Sequence, residues 1–204
     1  MSDLNHNNLT DETIDLLGLR QTNRSINAQI APNGLRMYFT SNHDENSWNK
    51  ADFETMPGAS HAPFAVLTQT LVRGVPLIYS GQEEPVTRAL EFFERDPIPF
   101  AKFQREEFYR TLLNLRKSNV ALAADASFNK VVVGDEQNVY AFTREKNGNK
   151  VFVITNLTGK EQSITVSDSN LHGRPHNVFM GTTEPLTAAT WKIQPWGYVI
   201  YEYR

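Results

Sequence analysis

The sequence predicts an α+β chain in two parts. Residues 1–118 alternate strands and helices, and residues 119–204 form an all-β sandwich. Two observations carry this. Between Leu35 and Lys117 the pattern runs strand, loop, helix, strand, loop, helix, the order that builds a parallel sheet with helices packed outside it. From Phe128 onward apolar residues recur every second position. Turn residues there fall about every 8–12 positions, as in an antiparallel sandwich.

Thr10, followed by Asp11 and Glu12, reads as a helix start, with a capping hydroxyl and acids in the first turn. Ile14 and Leu17 face inward and Gly18 ends it. A second short helix is expected over 22–30, and Pro32-Asn33-Gly34 marks a turn. Leu35 to Thr40 reads as a mostly buried strand. Ser41 to Gly58 is polar without a period and is expected to be a loop. Phe64, Leu67, Leu71 and Val72 share one helix face, stopped by Gly74. Val75 to Tyr79 suits a strand buried on both faces. Ser80 to Lys102, with three prolines, is a long loop, and Gln104 to Lys117 a helix with Phe108, Leu112 and Leu115 as its stripe. Strands are then expected at 128–133, 138–144, 150–156, 161–166, 176–180, 190–194 and 197–203, with Asn147-Gly148-Asn149 as a hairpin turn.

Composition excludes several classes of function. The 204 residues include no Cys, which removes a disulfide scaffold, a thiolate zinc site and a Cys nucleophile. A net charge of −3 gives no reason to expect a nucleic acid or an anionic membrane as partner. No apolar run approaches the ~20 residues of a membrane helix. The N-terminus lacks the order of a secretory signal.

Two segments carry candidate chemistry. Phe39-Thr40-Ser41-Asn42-His43-Asp44-Glu45-Asn46-Ser47-Trp48 delivers an imidazole, two carboxylates and an indole from the end of a buried strand. Such groups grip sugar hydroxyls by charge-assisted hydrogen bonds and stack on a pyranose face. The alternative is a solvated polar loop. Adjacent His43 and Asp44 with no third partner make a poor metal site. The second segment, Gly74-Val75-Pro76-Leu77-Ile78-Tyr79-Ser80-Gly81-Gln82-Glu83-Glu84, reads by itself as helix stop, strand and turn.

Taken together, the two segments resemble the α-amylase family of glycoside hydrolases. FTSNHD (Phe39 to Asp44) is similar to the motif after that family's seventh barrel strand. GVPLIYSGQE (Gly74 to Glu83) is similar to its eighth. The order, the spacing and a following β domain fit as well. The resemblance implies a partial (β/α)8 barrel fragment over 1–118, holding strands 7 and 8 with flanking helices, and a C-terminal sandwich domain over 119–204. It implies that Asp44 binds the sugar 2- and 3-hydroxyls and stabilises an oxocarbenium-like transition state. His43 would bind the same ring, Asn42 shape the turn, Trp48 stack near the cleft and Glu83 buttress the barrel mouth. No cofactor or metal is implied.

A retaining glycosidase also needs a nucleophile and an acid/base carboxyl about 5–5.5 Å apart. In that family both come from the fourth and fifth strands, and six of the eight strands have no counterpart here. The expectation is therefore a fragment of an enzyme of α-1,4-glucans such as starch, inactive alone. Its partners would be an α-glucan or maltooligosaccharide and either a complementing N-terminal barrel chain or a second copy joined through exposed strand edges. Two other readings stay open. One is a carbohydrate-binding or oligomerisation module using Trp191, Trp196, Tyr198, Tyr201 and Tyr203, whose alternation also fits plain core packing. The other is a local site built from Asp44, Glu45, Glu83 and Glu84.

Overall fold

A computed structural model describes residues 34–48 and 52–203. The helices expected after Thr10 and over 22–30 lie outside the described residues. The fold is mixed α+β, with one parallel strand pair and two antiparallel sheets.

Strands β1 (Arg36–Tyr38) and β2 (Gly74–Pro76) pair in parallel, with Met37 opposite Val75. Parallel pairing needs a crossover, and helix α3 (His61–Thr70) lies within it. Both strands are shorter than the runs expected at 35–40 and 75–79. One further bond, Leu77 N–H to Tyr38 C=O at 2.8 Å, extends the pair before the chains diverge. Gly74 is required by close approach, since a Cβ there would sit 2.3 Å from the Tyr38 ring.

The segment expected as a loop over 41–58 instead holds helix α1 (His43–Trp48), helix α2 (Asp52–Thr55) and the start of a 3-10 turn at Gly58–Ser60. Asn42 explains α1: its side-chain oxygen accepts from the backbone N–H groups of Asp44 at 2.9 Å and Glu45 at 2.8 Å. Two acids in the first turn also suit the positive end of the helix. The helix is too short for a period to show in the sequence. Helix α3 ends at Thr70, not Val72, and nine of its ten residues are buried. It is buried all round because it packs on β2, on helix α4 (Glu106–Ser118) and on the large sheet of the β part. Its two threonines turn their hydroxyls back to the carbonyls of Ala65 and Val66, so they cost no unpaired donor.

The β part comprises β3 (Ser127–Lys130), β4 (Val139–Lys146), β5 (Asn149–Asn156), β6 (Gln162–Thr165), β7 (His176–Asn177), β8 (Thr182–Thr183), β9 (Thr190–Ile193) and β10 (Tyr198–Tyr203). Six strands form one sheet in the order β3-β4-β5-β10-β7-β8, and β6 pairs with β9. The hairpin at Asn147-Gly148 forms as expected, both residues at positive φ (52° and 80°), which gives the twist a two-residue turn needs. The single strand expected at 176–180 is instead the short β7, followed by a turn into β8. There the Asn177 side chain accepts from Met180 N–H and Gly181 adopts φ 66°.

The large sheet is covered on both faces. Tyr140, Phe142, Val151, Val153 and Ile200 pack with Tyr38, Phe64, Leu67, Leu112 and Leu115 from the strand–helix part. Ala141, Phe152, Ile154 and Tyr201 pack with Ile164 and Ile193 of the smaller sheet. Trp196 packs on Phe64 at 6.5 Å, and Tyr203 donates to Leu171 C=O at 2.6 Å, so these rings serve the core.

Arg144 of β4 is fully buried at the seam. Its guanidinium donates to the carbonyls of Ser127 (2.8 Å), Thr70 (2.8 Å) and Ala123 (2.6 Å). Burial pushes its pKa down to about 10, still charged at neutral pH. Arg144→Ala strands three carbonyls. We expect it to lower unfolding stability by about 3 kcal/mol, read as the urea midpoint shift of the 204-residue chain; a change within about 0.5 kcal/mol would refute the role.

Candidate active site

Because β1 and β2 are parallel, the segments that leave them emerge at one end of the pair. The first carries Thr40 to Asp44 and the second Leu77 to Glu84. Gln82 fastens them together. Its amide nitrogen donates to Thr40 Oγ1 at 2.6 Å and to Asp52 Oδ2 at 2.9 Å, and its oxygen accepts from Tyr79 N–H at 2.9 Å. Gly81 turns the chain at φ 94°, where a Cβ would clash with Val86 at 2.5 Å.

The acids of the second segment are engaged in the backbone. Glu84, buried, accepts from the N–H groups of Ala101, Lys102 and Phe103 at 3.0–3.1 Å. Those bonds, Phe103's first, hold its carboxyl below the usual range. Glu83 closes its own turn by accepting from Gly81 N–H at 3.1 Å.

Behind this junction lies a buried chain of polar groups that sequence reasoning missed. Asp52 faces His61, Nδ1 to Oδ2 being 3.3 Å without hydrogen-bond alignment. His61 Nε2 meets the Tyr109 hydroxyl at 2.6 Å. A carboxylate beside Nδ1 favours the proton there, which leaves Nε2 to accept from Tyr109. Burial pushes the Asp52 carboxyl up, but His61 and Gln82 outweigh it and hold it below its ordinary value. Burial pushes His61 down, with Asp52 opposing. Nothing in the sequence spacing joins Asp52, His61, Gln82 and Tyr109; only their convergence on one side of the strand pair does.

The predicted site residues sit on and before α1. Asn42 is occupied as its cap. His43 and Asp44 are exposed, their side chains 69% and 60% open, with Nε2 to Oδ1 at 3.5 Å. Asp44 and Trp48 stand four residues apart, so they share a face one turn apart. Trp48 is 57% exposed and touches Phe92 and Phe93, with ring centroids at 4.8 and 5.7 Å. Asn46 is buried and accepts from Leu90 N–H at 2.8 Å, which joins α1 to the loop bearing those rings. Within that loop Arg88 pairs with Asp96 by both nitrogens. Among the described residues no group of three His, Asp or Glu gathers that could hold a metal, and no helix is long and apolar enough to cross a membrane.

A strand–helix part ahead of a β part of this topology has known counterparts. Residues 139–198 match the alpha-amylase SusG C-terminal domain. The chain is 26% identical over 161 residues to alpha-amylase 2 of Dictyoglomus thermophilum and 29% identical over 141 residues to neopullulanase 2 of Thermoactinomyces vulgaris. The chain is related to the α-amylases. These matches cover 72% and 63% of it but 26% and 24% of the relatives, so the chain spans about a quarter of their length. The fold agrees with that of a maltogenic alpha-amylase from Thermotoga neapolitana (TM-score 0.74, 16% identity, 93% of this chain and 46% of that one). It agrees equally with an alpha-amylase from Lactobacillus plantarum (0.74, 19%, 93% and 43%). The likeness in fold thus takes in both the strand–helix part and the β part.

The His61 environment sets a pH dependence. Its native pKa lies below the ordinary 6.5, so on acidification the unfolded chain takes up a proton that the folded chain refuses. Stability therefore falls as pH drops below about 6.5. We expect the urea midpoint to decline between pH 7 and 5.5, and His61→Asn to flatten that slope; an unchanged slope in the variant would contradict the assignment.

Proposed function

We propose that the chain is the C-terminal piece of an α-amylase-like glycoside hydrolase of α-1,4-glucans such as starch. In this reading β1 with α3 and β2 with α4 are the last two strand–helix units of a (β/α)8 barrel, over residues 1–118, and 119–204 are its C-terminal sandwich. The observation that carries the reading is the parallel register of β1 and β2, which brings the Asn42–Asp44 and Gly81–Glu84 segments to one mouth, tied through Gln82. That is the end of a parallel barrel at which sites form.

Asp44 then accepts two sugar hydroxyls and stabilises positive charge developing at the anomeric carbon. His43 donates to the same ring, and Trp48, one turn along α1, flanks the neighbouring sugar. A transition-state stabiliser without a nucleophile and an acid cannot cleave the bond. Glu83 and Glu84 do not fill those roles, because backbone N–H groups hold both. Leu35, Met37 and Val75 form an exposed apolar face on the strand pair, and upstream barrel strands are the natural cover for it.

The 204-residue chain is expected to release no reducing sugar from starch or maltoheptaose. Fused behind the barrel half of the Thermoactinomyces vulgaris neopullulanase, it is expected to restore hydrolysis, which Asp44→Asn lowers at least about 100-fold. Release by the lone chain that Asp44→Asn abolishes would overturn the incompleteness, and a fusion indifferent to Asp44→Asn would overturn the role of Asp44.

A further inference from the structure

The β part holds a cavity of about 620 Å³, where the β7–β8 end of the large sheet and the segment after it meet β9 and β10. Its volume lies in the range of small-molecule sites. Trp191, Tyr198 and Met180, the last 69% exposed, are among the residues that line it. Its polar component is built rather than incidental. Glu184 Oε1 accepts from Asn177 Nδ2 at 2.8 Å and from the Tyr201 hydroxyl at 2.8 Å. Both donors are more than nine-tenths buried. Burial and the Glu184 carboxylate raise the Tyr201 pKa, which keeps its hydroxyl protonated as a donor. Both of these bonds fall on Oε1; Oε2 takes neither.

A fixed carboxylate beside rings recognises a ligand with both hydroxyl donors and an apolar C–H face. No Lys or Arg lines the cavity, so an anion would meet only the charge of Glu184. A neutral sugar satisfies each requirement: hydroxyls donate to the carboxylate, and the ring's C–H face lies on an indole. We propose that this cavity is a second carbohydrate site, taking a hexopyranose unit with Glu184 as acceptor and Trp191 as stacking surface. It uses none of the residues around Asp44. That the sugar is a glucose unit of an α-glucan rests on the function proposed above.

The test is isothermal titration of the 204-residue chain with maltoheptaose, cellohexaose and choline chloride. Maltoheptaose binding should weaken at least about tenfold in Glu184→Gln, as expected for a lost bond to a charged acceptor, and also in Trp191→Ala. Glu184→Gln keeps the side-chain shape, and an unchanged urea midpoint shows that it remains folded. Binding of cellohexaose in place of maltoheptaose, with the same losses in the two variants, would keep the site and overturn the α-glucan reading. No binding of either sugar, equal binding by all variants, or binding of choline in their place would overturn the site.

Discussion

The carbonyl end of α3 is where the two parts of the chain are fastened. A helix leaves its last carbonyls unpaired and gathers negative partial charge there. In this protein that end is buried, so water cannot satisfy it. Two guanidinium groups do so instead. Arg116 of α4 donates to Gln69 C=O at 2.7 Å and also to Gly74 C=O, where β2 begins. Arg144 of β4 donates to Thr70 C=O and to two carbonyls of the β part. One cation comes from each part, and each holds a strand in place as well as the helix. Taking two charges out of water is costly, and the five carbonyls that receive them offset that cost. The parallel pair, the mouth it forms and the large sheet are all placed relative to this point.

A second polar device fixes the mouth itself. Gln82 has no freedom to turn, because its nitrogen serves Thr40 and Asp52 while its oxygen serves Tyr79 N–H. Asp52 is in turn set against His61, and His61 against Tyr109 on α4. The exposed α1 is thus carried on a buried network that reaches the helix behind the strands. Such a network fixes geometry only while its protonation states hold. His43 and Asp44 can therefore stand open to solvent on a short helix and still keep a defined place.

The sequence makes the elements legible where one physical rule acts alone. The Asn147-Gly148 hairpin needs positive φ at two positions, and those residues allow it. The α4 stripe shows because only one face of that helix meets the core. Legibility fails where tertiary contacts override the local pattern. Helix α3 loses its stripe because protein surrounds it. Helix α1 is hidden because one side-chain cap and two acids, not a period, start it. At the candidate site, Asn42, His43 and Asp44 are neighbours in the chain, so the sequence alone could single them out as candidates. Asp52, His61 and Tyr109 could not, since folding alone brings together residues 48 positions apart.

The aromatic residues of the sandwich illustrate the same limit from the other side. Alternation places Val199, Tyr201 and Tyr203 on one face, and that face does pack into the core. Packing and recognition are nevertheless not exclusive for a tyrosine. Its ring can be buried while its hydroxyl reaches a partner at the edge. Tyr203 directs its hydroxyl to a carbonyl, which completes its account as a core residue. Tyr201 directs its hydroxyl to Glu184 Oε1 instead, and the Asn177 side-chain amide donates to the same oxygen. Two buried donors converge on one oxygen of the Glu184 carboxylate and so set its orientation at the sheet edge. A hydrophobic substitute at each position would close that edge without orienting an acid. In the proposed sugar site, that oriented acid is the acceptor.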